Sequence, residues 1–313
     1  MQKQAKRTVV VLGTGGTISG SAGSAGDNVG YVAGTVGVDA LVAASTPAGA
    51  LVVEAEQVAQ VDSKDMDFAL WLRLARRVVL HAGRAEVAGI VVSHGTDTLE
   101  ETAYFLSRVL DLARPVVLTA AMRPASSRQA DGPQNIADAI AVAACGRAGV
   151  AVVMAGVVHS AHDVRKVHPY RLDAFSSGDA GPLARVEEGR LREFRDWPRE
   201  DVTALDRLPD DPAAWPWVEI VTSAAGVDGR AVRALVDAGV AGIVVAATGN
   251  GTVHGALEGA LEAAVGRGVA VLRSTRCLDG TIVAGGTGAF PSAGDLTPVK
   301  ARVELVLRLL ARR

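Results

Sequence analysis

Residues 8–19, TVVVLGTGGTIS, constrain the fold more than any other part of the chain. The run VVVL at 9–12 is apolar without a break and rich in β-branched residues, which is typical of a parallel strand covered on both faces. Glycines at 13, 15 and 16 then end the strand in a tight turn. The segment therefore predicts an α/β sheet whose first strand delivers a threonine, Thr17, at its carboxyl end.

The function of this turn has more than one interpretation. The dinucleotide pattern G-x-G-x-x-G would need a third glycine where the chain has Ile18, and a Walker loop would need Gly-Lys-Ser/Thr. Both phosphate-binding patterns are excluded. An ordinary tight turn between a strand and a helix remains, as does a turn that presents Thr17 as a nucleophile.

A second segment repeats the pattern. Residues 89–93, GIVVS, form another short apolar run, which ends in HGTDT and is followed by a helical pattern over 99–110. In open α/β sheets ligands bind beyond the carboxyl ends of the strands, so Thr17 and Thr96 can face one pocket. Asp97 and Thr98 have a structural alternative, because Asp and Thr are also preferred N-caps of helices.

Strand-like runs alternate with helix-like runs along the chain, which predicts an α/β protein with two domains. We expect a larger N-terminal domain over 1–195 with a doubly wound, flavodoxin- or Rossmann-like parallel sheet, and a smaller C-terminal α/β domain over 218–313. Residues 196–217, which are rich in proline and tryptophan, are the predicted linker. The predicted N-terminal elements are strands at 8–12, 51–55, 89–93, 115–119 and 150–154 and helices at 66–80, 99–110 and 135–144. The predicted C-terminal elements are strands at 218–222, 242–246 and 270–273 and helices at 231–237, 256–264 and 298–310.

Composition excludes several classes of partner. The 32 basic and 34 acidic residues give a formal charge of −2, so neither nucleic acid nor an anionic membrane surface is an expected partner. No window approaches the roughly 18 apolar residues of a membrane span, and no apolar run precedes the first strand, so we expect a cytoplasmic location. The spacing of His159, His162 and His168 is unlike that of structural zinc sites, and we expect no metal and no cofactor.

Residues 20–37 are predicted to form a lid. This segment contains six glycines and one aromatic residue, Tyr31. A flexible linker has the same composition, but long loops inside compact domains are usually functional. Its glycines would act as hinges, and Tyr31 would arrive at the site when the lid closes.

Together these motifs resemble the two signatures of the bacterial-type L-asparaginases, members of the asparaginase/glutaminase family. The signatures correspond to residues 14–19, TGGTIS, and to residues 89–99, GIVVSHGTDTL. Further matches follow in order along nearly the whole chain, at Tyr31 with Val36-Gly37, Ser63-x-Asp65-Met66, 100–106 (EETAYFL), 121–124 (AMRP), 130–133 (ADGP), Asp163-Val164-x-Lys166, 249–251 (GNG) and 301–303 (ARV). The chain is thus identified as a cytoplasmic-type member of this family.

The resemblance implies amide hydrolysis through an acyl-enzyme formed on threonine. Thr17 is similar to the family's nucleophile on the lid side, with the Tyr31 hydroxyl reaching it when the lid closes. Thr96, Asp97 and Lys166 match the family's second threonine, aspartate and lysine. A threonine hydroxyl needs a neighbouring base before it can attack, and the sequence leaves open whether Thr17 or Thr96 attacks first.

Substrate binding is implied in the same way, with L-asparagine as the substrate. Asp97 matches the family's residue for the α-ammonium group of the amino acid, and Ser63 matches the residue for its α-carboxylate. Thr96 and Ala121 complete the predicted substrate-binding set. We expect backbone amides in the two glycine turns and the main chain around Ala121 to contact the developing oxyanion and the leaving amide.

Three departures from the family pattern concern the α-amino side of the substrate. Lys64 stands where secreted members often have glutamine, residues 225–228 lie where an asparagine is usual, and residues 275–286 are short and lack a glutamate that a neighbouring subunit commonly supplies. We expect hydrolysis of asparagine in preference to glutamine, with weak glutaminase activity. Asp228 or Asp279 is expected to replace part of the missing acidic contact.

The resemblance also implies a homo-oligomer, namely a tetramer built as a dimer of dimers. Two other functions stay open at this point. One is an asparaginase-like subunit of a tRNA-dependent amidotransferase, against which the near-neutral charge counts. The other is a non-catalytic amino-acid-binding module, which would release no ammonia from asparagine.

Overall fold

A computed structural model of the protein describes residues 7–45, 51–198, 201–283 and 289–312. The chain divides into two compact units, with the boundary between Leu205 and Asp206. The predicted linker at 196–217 spans this boundary, and its limits stay a prediction. Each unit contains its own sheet.

The N-terminal unit is built on one large sheet. Its elements in chain order are β1 Thr8–Gly15, α1 Val38–Ser45, β2 Val52–Val61, α2 Phe68–Ala82, β3 Val87–Ser93, α3 Leu99–Val109, β4 Pro115–Thr119, α4 Gly132–Ala143, β5 Gly149–Met154, β6 Val157–Ser160, β7 Arg165–Lys166, β8 Phe175–Ser176, β9 Ala184–Glu187 and β10 Arg190–Glu193. Eight strands form the sheet in the order β10-β9-β6-β5-β4-β3-β1-β2, and β7 pairs with β8 separately.

The first five strands of this sheet are parallel, and β6, β9 and β10 continue it with antiparallel pairing. The predicted α/β class with a doubly wound parallel sheet is confirmed. The antiparallel strands and α1 were not predicted. For β9 and β10 the sequence explains this, because both strands carry exposed charged residues and lack the continuous apolar run of a covered strand.

The central strands are completely buried, since helices cover both faces of the sheet. Every residue of β1, β3 and β4 is buried. On one face Val9, Val11, Val91 and Val117 pack in a core cluster with residues of α1 and α4, and α2 and α3 pack on each other and on the sheet. Each fully buried Val or Ile side chain contributes roughly 1.5–3 kcal/mol through burial, which explains the β-branched runs.

Several helices and strands begin or end at other residues than the hydrophobic pattern predicted. The predicted helix at 66–80 begins at Phe68, because the Asp67 carboxylate accepts a hydrogen bond from the Leu70 N–H at 2.8 Å and caps the helix. The predicted helix at 135–144 begins at Gly132 with proline in its first turn. The predicted strand at 51–55 continues to Val61 in β2.

The sheet changes its direction of winding between β1 and β3. The chain passes from β1 to β2 at one side and then to β3 at the other side of β1. Gly13 pairs with Ser93, and Ser93 pairs with Thr119, so the carboxyl ends of β1, β3 and β4 are level. Ligands in open α/β sheets bind at such a switch point.

The C-terminal unit is a smaller α/β structure with its own core. It contains β11 Val218–Thr222, α5 Arg230–Asp237, β12 Gly242–Ala247, α6 Gly255–Gly266, β13 Ala270–Thr275 and α7 Pro298–Leu310. The three strands are parallel in the order β11-β12-β13. All six elements correspond to predicted ones, and the smaller C-terminal α/β domain is confirmed. Among the described residues of the whole chain, no helix combines the length and apolar character needed to cross a bilayer.

Candidate active site

The two glycine turns of the N-terminal unit are in direct backbone contact. Gly16 has a φ of +83°, and a Cβ built on it would lie 2.3 Å from the Cα of Gly95 and 2.4 Å from its nitrogen. A Cβ built on Gly95 would in turn lie 2.4 Å from Ser63 Oγ. Neither gap has room for a side chain. The turn after β1, the turn after β3 and Ser63 therefore meet at one place.

Thr17 lies directly after β1, in the short 3₁₀ helix Thr17–Ser19. Its hydroxyl oxygen is 2.6 Å from the hydroxyl oxygen of Tyr31, and either group can be the donor. The Tyr31 ring rests against the backbone of Gly20, where a Cβ would come within 2.7 Å of a ring carbon. Thr17 is buried, with 8% of its surface exposed. The structure thus brings a buried Thr17 and a partly exposed Tyr31 together.

Residues 20–37 form an ordered loop that covers Thr17. The backbone N–H groups of Thr35 and Val36 both donate to Ser19 O at 2.8 Å. On the outer side, the N–H of Ala125 donates to Gly20 O at 2.9 Å and the N–H of Arg128 donates to Ala25 O at 3.1 Å. The loop is therefore attached both to the turn that carries Thr17 and to the segment after β4, and its role as a lid stays a prediction.

Thr96, Asp97 and Lys166 form a second hydrogen-bonded set. The Lys166 Nζ donates to Thr96 Oγ1 at 2.9 Å and to Asp97 Oδ1 at 2.6 Å. The Lys166 side chain is largely covered, with 19% exposed, whereas 54% of the Asp97 side chain is exposed. Lys166 lies in β7, far along the chain, and pairs there with Phe175 of β8. The ion pair joins a covered ammonium to a carboxylate that a ligand can still reach.

Ser63 holds the beginning of α3 in place. Its Oγ accepts a hydrogen bond from the Asp97 N–H at 3.2 Å, and its carbonyl accepts one from Thr98 Oγ1 at 2.7 Å. Thr98 occupies the N-cap position of α3, but its side chain makes no capping bond to the helix. The hydroxyl of Thr98 and the carboxylate of Asp97 are thus engaged with Ser63 and Lys166 instead of acting as helix caps.

The main chain around Ala121 is fixed from one side by α4. Ala121 is fully buried, in the same core cluster as Ile18. The Asp131 carboxylate accepts from the N–H groups of Met122 at 3.0 Å and Arg123 at 2.9 Å. Asn135 Nδ2 donates to Ala120 O at 2.9 Å. The sequence analysis noted Asp131 only as part of the ADGP match and did not single out Asn135.

His94 is a further residue that the sequence analysis did not assign. Its ring is completely buried, and its Nδ1 lies 2.7 Å from Gly95 O. Burial lowers its pKa from 6.5 to about 4, although the hydrogen bond to Gly95 O acts in the opposite direction. The ring is therefore neutral at pH 7. The sequence offers one signal for His94, namely its position between the apolar run of β3 and Gly95, the glycine that contacts Gly16 in the structure.

The residues that depart from the family pattern have partners of their own. Lys64 pairs with Asp65 at 2.8 Å and Asp62 at 3.2 Å, and its hydrogen bonds to Asp65 and Asp62 raise its pKa. In the C-terminal unit, the Asp228 carboxylate accepts from Arg230 N at 2.9 Å and Arg230 Nε at 2.7 Å. A substrate contact by Asp228 or Asp279 stays a prediction. Residues 284–286 of the predicted short segment lie outside the described residues.

The side chains described above suit proton transfer better than metal binding. Hydroxyl groups and one ammonium line the site, and the carboxylate of Asp97 is shared with Lys166. Divalent cations are held by several carboxylate, imidazole or thiolate ligands. The arrangement can activate a hydroxyl, bind an amino group through Asp97 and supply donors to an oxyanion.

Comparison with known proteins agrees with the geometry. Residues 8–199 match the family model described as Asparaginase, N-terminal, and residues 217–312 match the one described as Glutaminase/Asparaginase C-terminal domain. The chain belongs to the asparaginase family. The family predicted from the sequence is confirmed, and membership makes the chain an amidohydrolase that acts on linear amides.

Similar proteins of this family extend over nearly the whole chain. L-asparaginase 2 of Escherichia coli K12 is 37% identical, with 96% of this chain and 88% of that protein aligned. A probable periplasmic L-asparaginase of Haemophilus influenzae is 36% identical over the same shares, 96% and 88%. The crystal structure of a probable cytoplasmic L-asparaginase from Campylobacter jejuni superposes with a TM-score of 0.89, at 35% identity, covering 97% of this chain and 95% of that one.

Proposed function

We propose that this member of the asparaginase family hydrolyses L-asparagine to L-aspartate and ammonia through an acyl-enzyme on Thr17. The observation that carries the proposal is the contact of two turns, each of which holds a threonine hydrogen-bonded to a proton-carrying group. Thr17 has the Tyr31 hydroxyl at 2.6 Å, and Thr96 has the Lys166 Nζ at 2.9 Å. A weak hydroxyl nucleophile requires such a partner.

Thr17 is the better first nucleophile because of the direction of these hydrogen bonds. Lys166 is ion-paired with Asp97 and donates to Thr96 Oγ1, so an ammonium faces that oxygen. An ammonium has three donors and no acceptor, and it cannot take the proton of Thr96 while it stays charged. The Tyr31 oxygen beside Thr17 can both accept and donate.

In the first step the Thr17 oxygen forms a bond to the side-chain amide carbon of asparagine. Its proton passes to the Tyr31 oxygen while Tyr31 passes its own proton towards the leaving nitrogen. The C–N bond breaks, ammonia leaves, and an aspartyl ester on Thr17 remains. Water then adds to this ester, the Thr17 oxygen takes back a proton, and aspartate is released. Neither step requires an oxidant, a reductant or a cofactor.

Binding of the amino acid is assigned to Asp97 and Ser63. A carboxylate offers about four lone-pair positions, so Asp97 can hold Lys166 and the substrate α-ammonium together, and half of its side chain is open to do so. The Ser63 oxygen accepts from the Asp97 N–H, which leaves its hydroxyl proton for the α-carboxylate. Backbone amides in the two glycine turns, together with the main chain around Ala121, contact the developing oxyanion and the leaving amide.

Ammonia release by the purified chain tests the proposal. Thr17→Ala and Thr96→Ala are each expected to lower kcat by about 10³-fold or more, in line with the loss of a nucleophile or of general acid–base assistance. Thr8→Ala is the matched control. Thr8 is buried at the other end of β1, roughly 25 Å from Thr17 along the strand, so its loss leaves kcat unchanged.

The outcomes separate the competing functions. Equal activity of wild type, Thr17→Ala and Thr96→Ala would contradict the catalytic assignment. Absence of ammonia from all three, with asparagine still bound, would indicate an amino-acid-binding module. Activity only with an added protein partner and tRNA would indicate an amidotransferase subunit. A kcat/KM that favours glutamine would overturn the proposed preference for asparagine, with glutamine as a weak substrate.

We further propose a cytoplasmic homotetramer built as a dimer of dimers. The name of the Campylobacter neighbour describes that protein as cytoplasmic, whereas the Haemophilus relative is named as periplasmic. Light scattering is expected to give four chains per particle, and fractionation of the source cells is expected to place the protein in the cytoplasm. A fully active monomer would contradict the assembly.

A further inference from the structure

A buried chain of three side chains leads from the helical layer to the turn that carries Thr96. Trp71 Nε1 of α2 donates to Thr102 Oγ1 of α3 at 2.9 Å, and Thr102 Oγ1 lies 3.1 Å from His94 Nε2. The other ring nitrogen of His94, Nδ1, lies 2.7 Å from Gly95 O. Trp71 is itself held by stacking on Phe105, with ring centroids 4.9 Å apart.

The direction of each hydrogen bond in this chain is determined by chemistry. A carbonyl oxygen can only accept, so His94 Nδ1 carries a proton and donates to Gly95 O. The neutral ring then has a bare Nε2, which accepts from the Thr102 hydroxyl. An indole N–H can only donate, so Thr102 Oγ1 accepts from Trp71. Gly95 O and the Thr102 hydroxyl, which Trp71 orients, therefore favour the same tautomer of His94, with the proton on Nδ1.

The carbonyl that His94 holds belongs to the peptide between Gly95 and Thr96. This peptide is planar and trans, as no cis bond occurs in the described part of the chain, and in a trans peptide the C=O and N–H groups point in opposite directions. A carbonyl turned towards the buried His94 ring directs the Thr96 N–H away from that ring. The orientation of this peptide thus sets the direction of the Thr96 N–H and the position of the Thr96 Cα, from which the hydroxyl-bearing side chain extends.

Packing leaves Gly95 little freedom to compensate if this bond is lost. Gly95 is enclosed between Gly16 on one side and Ser63 on the other, within distances that exclude even a methyl group. A small rotation of its peptide must therefore displace Thr96 relative to Lys166, or displace the Gly16 turn that carries Thr17.

We propose that His94, oriented by Thr102 and Trp71, is a positioning residue that fixes the Gly95–Thr96 peptide, and with it the Thr96 N–H and hydroxyl, for amide hydrolysis. The inference rests on the proposed function and extends it to residues that do not touch the substrate. It predicts that activity depends on the buried hydrogen bonds that link α2, α3 and His94 at the end of β3.

A pair of substitutions at Thr102 tests the inference. Thr102→Val keeps the shape of the side chain but removes the donor to His94, whereas Thr102→Ser keeps the hydroxyl. The valine variant is expected to lose about tenfold or more in kcat with little change in KM, since displacement of a catalytic group by a fraction of 1 Å has effects of this size. The serine variant is expected to recover most of the lost activity.

Nuclear magnetic resonance reports the protonation and hydrogen bonding of the His94 ring nitrogens, which a change in stability alone does not alter. In the wild type and in Thr102→Ser, the His94 signal is expected to show a proton on Nδ1 alone, and the signal is identified by its absence from His94→Asn. In Thr102→Val the Nδ1 proton is expected to remain, because Gly95 O still requires a donor, whereas the Nε2 signal is expected to move because this nitrogen no longer accepts a hydrogen bond. Ser107→Ala removes another buried hydroxyl of α3, which donates to Tyr104 O, and serves as the control with unchanged kcat.

A second pair of substitutions acts on His94 itself. The Asn Nδ2 occupies nearly the position of His Nδ1 and can still donate to Gly95 O, whereas Leu of similar size cannot. We expect His94→Asn to retain more activity than His94→Leu at equal thermal stability. Equal kcat in the two variants, or wild-type kcat and an unchanged Nε2 signal in Thr102→Val, would overturn the positioning role. Neither result would affect the proposed function, which the activities of wild type, Thr17→Ala and Thr96→Ala test separately.

Discussion

Replacement of Gly16 by alanine is expected to separate the two halves of the site. Gly16 has a φ of +83°, a backbone conformation that residues with a Cβ rarely adopt. A Cβ added at this position would lie 2.3 Å from Gly95 Cα. Ordinary contacts begin near 3.4 Å, so one backbone must move by about 1 Å before the methyl group fits. Both neighbours are main chain, and no flexible side chain can yield.

Two terms set the expected loss of stability. Gly16 combines a φ of +83° with a ψ of −173°, and a residue with a Cβ in this region costs about 1–3 kcal/mol, while overpacking against a rigid neighbour typically costs about 1–3 kcal/mol. The free energy of unfolding of Gly16→Ala should therefore fall by about 2–6 kcal/mol. A displacement near 1 Å between Thr17 and Thr96 should lower kcat/KM by about 100-fold.

The assay compares Gly16→Ala with Gly23→Ala. Gly23 lies in the following loop, residues 20–37, has nothing within 4 Å of an added Cβ and has no positive φ, so alanine there is expected to be neutral or slightly stabilising. Ammonia release and urea unfolding are measured for both variants and the wild type. Wild-type activity and stability in Gly16→Ala would show that the two turns are not in contact, and the account of the site would be wrong.

Three further results are expected. Tyr31→Phe removes the 2.6 Å bond to Thr17 and should lower kcat by about 100-fold or more with a nearly unchanged melting temperature; an unaltered kcat would remove Tyr31 from the mechanism. Lys166→Met removes the ammonium from Thr96 and Asp97 and should abolish most ammonia release, while stability changes by less than about 1 kcal/mol because Asp97 is half exposed and becomes hydrated; intact turnover would contradict the role of the second set. Because burial holds the pKa of His94 at about 4 against an ordinary 6.5, the unfolded chain binds a proton that the folded chain does not, and stability from this residue is complete above pH 6.5 and decreases by up to about 3 kcal/mol as the pH falls to 4. Urea unfolding of wild type and His94→Asn measures that difference, and identical pH dependence of the two would refute it.

The sequence was sufficient for features that depend on local pattern. The continuous apolar runs at 9–12 and 90–92 predicted buried parallel strands, and the glycines after the first run predicted the turn that holds Thr17. The six C-terminal elements followed from the same periodicity. In each case one short segment carries the whole signal, since burial on both faces and an abrupt glycine turn are properties of neighbouring residues.

Features made by contacts between distant residues could not be obtained in this way. The antiparallel strands β9 and β10 lie at a partly exposed sheet edge and lack a strong hydrophobic pattern. The bonds from Trp71 through Thr102 to His94 join two helices and a strand end, and each of these residues alone is an ordinary core residue. Lys166 was assigned through family resemblance, because nothing in its own sequence shows that it meets Thr96 across 70 residues.

The central claim is that a covalent acyl-enzyme forms on Thr17, and mass spectrometry tests it most directly. Wild type and Thr96→Val, in which breakdown of the ester is expected to be slower, are mixed with L-asparagine, quenched in acid and digested. The account predicts that the peptide containing Thr17 gains the mass of one aspartyl group and that the peptide containing Thr96 does not. An aspartyl group found on Thr96 instead, or on neither peptide during turnover, would contradict the account.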